Sequence, residues 1–165
     1  MSTEIALISP PYTEELSGRL LALNNAHAEE LSYKTPEDFR ALLAVASHVR
    51  AAADGSALIV AFHEGCTYDN PNFAWLKARF SRFYYIDRVV VGTAARGRGL
   101  ARRLYGNLEQ RARRGGHERL VCEINAIPPN PSSDAFHVAL GFVPVGEQRL
   151  EGSGKTVRYW SRAIS

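Results

Sequence analysis

The stretch Val91-Gly92-Thr93-Ala94-Ala95-Arg96-Gly97-Arg98-Gly99-Leu100-Ala101 constrains this chain more than any other segment. Upstream of it, Tyr84-Tyr85-Ile86-Asp87-Arg88-Val89-Val90-Val91 has the β-branched and aromatic enrichment of a strand. Downstream, Leu100, Leu104 and Leu108 recur every fourth residue, with Ala101, Tyr105 and Ala112 beside them and arginines on the other face. That spacing predicts a helix with one buried stripe, ended by Gly115-Gly116. A strand, a glycine loop and a helix in this order make an anion site. Glycines let backbone N–H groups turn toward one point, and the helix N-terminus adds about half a positive charge there. The loop is suited to phosphate.

Two common phosphate loops do not fit. No Lys-Ser or Lys-Thr follows Gly99, as a nucleoside triphosphatase loop requires. A dinucleotide fold needs a third glycine where this chain has Arg102. What remains is Arg96-Gly97-Arg98-Gly99-Leu100-Ala101, an R-x-x-G-x-A pattern, preceded by a strand valine, Val91. A second block reads Asn130-Pro131-Ser132-Ser133-Asp134-Ala135-Phe136-His137-Val138-Ala139-Leu140-Gly141-Phe142, behind the strand-like Leu120-Val121-Cys122-Glu123-Ile124-Asn125. Together, in this order, the two blocks resemble the GNAT superfamily of N-acyltransferases over roughly Tyr84 to Phe142. There the first block is the coenzyme A pyrophosphate loop, and the second is a strand followed by Asn and a helix ending in Gly-Phe. Two departures stand out. The linker Ala126-Ile127-Pro128-Pro129 is longer and richer in proline than usual, and His137 stands where the family usually carries tyrosine.

With 165 residues, the chain suits one domain with a substantial core, and residues 1–165 are read as a single acetyltransferase domain. The longest strand-like apolar run, Ala57-Leu58-Ile59-Val60-Ala61-Phe62, is far short of a membrane span. Met1-Ser2-Thr3-Glu4-Ile5 lacks a basic segment followed by an apolar one, so no secretory signal is expected and the cytoplasm is the expected location. Cys66 and Cys122 are too few for a disulfide framework. The net charge of +3 is unevenly spread, since Arg96, Arg98, Arg102, Arg103, Arg111, Arg113 and Arg114 crowd one loop and one helix. Clustered arginine is also the footprint of a nucleic-acid surface, but aromatic residues do not interleave with it as a single-strand platform would require.

Along the rest of the chain, Ile5 to Ile8 reads as a short strand. Thr13 caps a helix whose pattern is interrupted at Asn24-Asn25-Ala26-His27. Thr35-Pro36 opens a second helix expected to run through Val49. Ala57 to Phe62 is a strand, Phe73 to Phe80 looks helical, and Val143–Leu150 and Lys155–Arg162 flank the turn Gly152-Ser153-Gly154 as a hairpin. Mixed elements in this order predict an α+β fold with a mixed sheet. The resemblance implies a three-layer arrangement: a mostly antiparallel central sheet with a V-shaped splay and helices on both faces. Pantetheine would lie where the strand before the glycine loop parts from the Leu120–Ile124 strand.

Acylating an amine is a demanding reaction near neutrality. An alkyl ammonium has a pKa near 10.4, so a site must remove a proton, hold an oxyanion and protonate the departing thiolate. The resemblance implies acetyl-CoA as donor, transferred to a primary amine of a small molecule or peptide by direct attack in a ternary complex. By resemblance, Val89, Val90 and Val91 would meet pantetheine or the thioester carbonyl, Arg96, Gly97, Arg98, Gly99, Leu100 and Ala101 the pyrophosphate, and Asn130, Ser133 and Phe136 the rest of the cofactor. Asp87 is the expected base, with an ion pair to Arg88 as its competing role. His137 is the expected general acid, with packing against pantetheine as the alternative. Asn24, Asn25 and Tyr85 are expected to line the acceptor pocket. No metal is expected, and neither nucleic acid nor a membrane is an expected partner; a homodimer is compatible with the sequence. Two other function classes remain open: a domain that binds acyl-CoA without transferring it, and a nucleic-acid-binding protein.

Overall fold

The computed structural model describes residues 4–164. In chain order the elements are β1 (Leu7–Ile8), α1 (Glu14–Ala26), α2 (Ala28–Leu31), α3 (Pro36–Val45), β2 (His48–Ala52), β3 (Ala57–His63), α4 (Pro71–Lys77), β4 (Phe83–Val91), α5 (Leu100–Arg114), β5 (Arg119–Ile127), α6 (Pro131–Ala139), β6 (Val143–Arg149) and β7 (Thr156–Ala163). The strands form a seven-stranded sheet in the order β1-β2-β3-β4-β5-β7-β6. The pairs β1–β2, β2–β3, β5–β7 and β6–β7 are antiparallel, whereas β4 and β5 are parallel over Phe83–Ile86 and Arg119–Cys122. This is the mixed, mostly antiparallel α+β sheet expected. No helix among the described residues is long and apolar enough to cross a membrane.

The chain divides into two compact units, one of residues up to Phe62 with Asp87–Gln110, the other of His63–Ile86 with residues from Arg111 onward. In the first, the β3 residues Ala57–Phe62 are all apolar and wholly buried, as expected of a strand covered on both faces. On α5, Leu100, Leu104, Tyr105 and Leu108 are buried, continuing to Ala112 in the second unit. The second unit packs Phe83 and Tyr85 against Phe73, with ring centroids 5.9 and 5.8 Å away.

Helix starts follow local chemistry. The Thr13 hydroxyl accepts the Leu16 N–H at 3.1 Å, with Glu14 and Glu15 in the first turn. Three further helices begin with a capping side chain followed by proline: Thr35-Pro36, Asn70-Pro71 and Asn130-Pro131. Proline costs nothing at the first helical position, because its missing N–H would have no intrahelical partner there.

Several expectations need correction. The helix opened by Thr35-Pro36 stops at Val45, and His48–Ala52 is a strand, not a continuation to Val49. The alanine-rich stretch favours helix locally, but pairing with both β1 and β3 and burial of His48, Val49, Ala51 and Ala52 override that preference. Asn24 and Asn25 do not interrupt α1, which continues to Ala26 because their side chains are bonded elsewhere. The first strand holds only Leu7–Ile8. The helix expected at Phe73–Phe80 is shifted to Pro71–Lys77 by the Asn70 cap, and β5 extends to Ile127, taking up half of the proline-rich linker.

Candidate active site

The glycine loop belongs to the first unit. The Gly92 N–H donates to the Ser56 carbonyl at 2.8 Å, fixing the end of β4, and a single 3₁₀ turn spans Thr93–Ala95. Ala95 and Leu100 are buried and anchor the loop at each end, while Arg96, Gly97, Arg98 and Gly99 between them are exposed. Gly97 (φ 82°) and Gly99 (φ 73°) adopt the left-handed conformation that glycine alone takes without strain. The backbone N–H groups from Gly97 to Arg102 have no acceptor among the described residues; the next one, of Arg103, returns to the Gly99 carbonyl at 3.0 Å. A Cβ placed on either glycine would meet no heavy atom within 4 Å. A run of unpaired donors at a helix start, under open space and flanked by two exposed arginines, fits a diphosphate. Arg98 also helps hold the Asp54 carboxyl below the usual range, after the larger effect of the Ser56 hydroxyl bonded to it.

Along β4, Val90 is buried and Val89 and Val91 are half-buried. Asp87 lies in a buried network. Its Oδ2 accepts from Arg88 Nε at 2.7 Å, and the two side chains are 3% and 6% exposed. Arg88 also donates to Asn24 Oδ1 at 2.7 Å. The Asn24 amide then donates to Asn25 Oδ1 and to the Ser32 carbonyl, and Asn25 exchanges hydrogen bonds with the backbone of Lys34. The two asparagines expected in the acceptor pocket thus spend their polar groups on Arg88 and on the 32–34 turn. Ser32 itself sits at φ 67°, strained for a residue with a Cβ.

The second unit carries the other candidate residues. Asn130 Oδ1 accepts from the Ser133 N–H at 3.4 Å and from the Ser132 hydroxyl at 3.3 Å, so its side chain opens α6. Seven residues after Asn130, His137 is buried between Phe136 and Phe142, which meet it edge-on at 5.3 and 5.1 Å. Its Nδ1–H donates to the Ser133 carbonyl at 2.7 Å. Burial pushes the imidazole below its ordinary pKa, against smaller opposing effects of the Ser133 carbonyl and Asp134. In the neutral ring the lone pair is therefore on Nε2. Tyr85 is fully buried and packs on Phe73, away from solvent.

One carboxylate lies outside the site residues to which the sequence points. Glu123 follows Cys122, the last residue of β5 that pairs with β4, and stands opposite Tyr159 on β7. Its charge helps to raise both the Cys122 thiol and the Tyr159 phenol, each already pushed up by burial. A charged residue inside an otherwise apolar run, Leu120-Val121-Cys122-Glu123-Ile124, was the available signal. Tyr159 is held by Asn72 Oδ1 at 2.7 Å and Gln148 Oε1 at 3.0 Å, and its ring stacks on Trp75 at 4.0 Å.

Comparison with known proteins identifies the family. The model of the acetyltransferase (GNAT) family matches residues 14–142, most of the chain and parts of both units. A search of curated protein sequences returned no match. Among solved structures, the chain is similar to a chain of the NatC complex bound to Gag peptide and CoA, with 17% identity over 99% of this chain and 100% of that one and a TM-score of 0.72. It is also similar to an aminoglycoside 6'-N-acetyltransferase complexed with coenzyme A, at 14% identity over 98% of each chain and a TM-score of 0.72. An N-acetyltransferase from Staphylococcus aureus Mu50 shares 17% identity over 99% of this chain and 100% of its own, with a TM-score of 0.69. At such identities what is shared is the fold, and the family match carries the assignment. The chain belongs to the acetyltransferase (GNAT) family.

Proposed function

We propose that this protein, acting as one catalytic domain, transfers an acetyl group from acetyl-CoA to a primary amine of a small molecule or peptide by direct attack in a ternary complex. The observation that carries this reading is the row of unpaired N–H groups from Gly97 to Arg102, with open space above two left-handed glycines. Bound there, acetyl-CoA supplies an activated acyl carbon and a thiolate leaving group. The loop N–H groups, with Arg96 and Arg98, hold the diphosphate, and Val89–Val91 with Asn130, Ser133 and Phe136 serve the rest of the donor.

The remaining work is proton transfer. Asp87 and Glu123 are the proposed proton acceptors for the incoming ammonium. The Arg88 guanidinium fixes the Asp87 carboxylate, which suits it to attract and orient a cationic amine as well. His137, with Nδ1–H committed to Ser133, carries a lone pair at Nε2 that can take up a proton and return it to the thiolate. Asn24, Asn25 and Tyr85 shape the acceptor side without exposing their polar atoms to it. Free cysteines at positions 66 and 122 suit a reducing compartment such as the cytoplasm.

Calorimetry with acetyl-CoA on the folded Gly99→Val protein tests the assignment. A branched side chain at a left-handed position facing the diphosphate should abolish measurable binding. Undiminished affinity would remove the loop from the donor site. In a turnover assay on an amine panel, Asp87→Asn or Glu123→Gln should lower kcat by roughly 10²–10⁴ while leaving donor binding intact. Tight donor binding with no turnover of any amine would favour the non-catalytic reading.

A further inference from the structure

A cleft opens in the first unit, between α1 and α3, with a volume of about 600 Å³. That is within the range of small-molecule sites. Its walls are apolar: Leu21 on α1, Phe39 and Leu43 on α3. Tyr12 also lines it, as a neutral group, since its hydroxyl donates to the Ile8 carbonyl at 2.9 Å and burial pushes its pKa up to about 12.

Two features set this cleft apart from an ordinary gap between helices. The first is Gly18. It lies in the middle of the thirteen-residue α1, where glycine is less favourable than alanine by about 1 kcal/mol. Its φ is not in the left-handed region, and a Cβ there would meet nothing within 4 Å. Neither backbone conformation nor internal packing requires a glycine here, yet it lines the cleft and leaves the α1 backbone bare to whatever enters.

The second feature is charge. Glu14 and Arg40 both line the cleft, and neither has a hydrogen-bond or ion-pair partner among the described residues. The neighbouring Glu15, by contrast, is paired with Arg19 at 2.7 Å. The cleft therefore presents an unneutralised anion and an unneutralised cation over an apolar wall. A fatty acid would match only the cation, and an aliphatic amine only the anion. A zwitterion with an apolar side chain matches both.

We propose that the α1–α3 cleft is a binding site for a free apolar or aromatic α-amino acid. Its carboxylate meets Arg40, its ammonium meets Glu14, and its side chain packs over Gly18 against Leu21, Phe39 and Leu43. The site does not draw on any residue assigned to acetyl transfer, so it stands or falls independently of that reading.

Isothermal calorimetry on the full chain, with L-phenylalanine as probe, tests it. Saturable one-to-one binding with a Kd in the millimolar range or tighter is expected. Arg40→Gln and Glu14→Gln should each weaken it about tenfold, phenylpropionate and phenethylamine should bind at least tenfold more weakly, and Gly18→Leu should abolish it. Acetyl-CoA affinity should be unchanged in all three variants, which also reports that they are folded. Absence of L-phenylalanine binding to the parent protein would overturn the proposal. So would equal binding of the two single-charge analogues, or undiminished binding in Arg40→Gln. A chain that is dimeric by light scattering and becomes monomeric in Gly18→Leu would overturn it too, because the cleft would then hold a second copy.

Discussion

Replacing Arg88 by methionine should destabilise the protein strongly. Arg88 is 6% exposed, and two short hydrogen bonds engage it: Nε to Asp87 Oδ2 and Nη1 to Asn24 Oδ1, both 2.7 Å. Methionine keeps much of the volume but removes the guanidinium. Asp87, 3% exposed, would lose the guanidinium at its Oδ2, and Asn24 Oδ1 would lose its donor from Arg88. Removing one partner of a buried ion pair costs about 3–5 kcal/mol. In a chain of this size each kcal/mol lowers the melting temperature by about 2–4 °C, so a fall of about 6–20 °C is expected. Thermal unfolding followed by circular dichroism, without acetyl-CoA, measures it. The double variant Asp87→Leu/Arg88→Met should recover much of the loss, since an apolar pair of similar volume removes the buried charge. A single variant that melts within 2 °C of the parent (a loss of about 1 kcal/mol or less) would show that the pair is not buried as described.

Two further outcomes follow from local geometry. Because burial depresses the His137 pKa in the folded state, the unfolded chain binds the proton first as pH falls below about 6.5, and stability should decline there; His137→Phe should flatten that decline between pH 7 and 5, and identical slopes in urea titrations would refute it. Gly146→Ala would place a Cβ 2.5 Å from the Trp75 ring, which is stacked on Tyr159 at 4.0 Å and covered by Arg79 at 3.6 Å, so a loss of about 1–3 kcal/mol and an altered tryptophan fluorescence spectrum are expected, while a parent-like spectrum and melting curve would show that the ring has room to move.

What could be read from the sequence is what is encoded within a few residues. The strand, the turn and the start of α5 are set by contiguous β-branched residues, two glycines and a leucine stripe, and all three emerge as read. So do the caps at Thr13 and Thr35. The segment His48–Ala52 was illegible for the opposite reason. Its composition is helical, and only pairing with β1 and β3, from distant parts of the chain, makes it a strand. The same holds for Asn24 and Asn25. In sequence they look like polar residues breaking a helix, available to a substrate. Their partners, Arg88 sixty-four positions away and the backbone of Ser32 and Lys34, turn them into internal connectors. The glycine loop is encoded locally and can be read from the sequence; the network of Asn24, Asn25 and Arg88 is built from long-range contacts and cannot.

His137 shows why a residue type alone does not settle a role. In the sequence, a histidine where the family usually carries tyrosine suggests a replacement acid, because its ordinary pKa lies near neutrality. In the fold, burial lowers that pKa, and the bond from Nδ1–H to the Ser133 carbonyl fixes the tautomer. The resting ring therefore holds no proton at Nε2. It can protonate a thiolate only after gaining a proton during the reaction, and the attacking amine is a source of one. A tyrosine would carry its transferable proton beforehand and would not need that step. In the proposed mechanism, histidine at this position couples removal of the amine's proton to protonation of the leaving group. His137→Tyr should then uncouple them: turnover persists, but the pH–rate profile loses the limb set by the imidazole. A Tyr variant with the parent's profile would show that the imidazole does not set that limb.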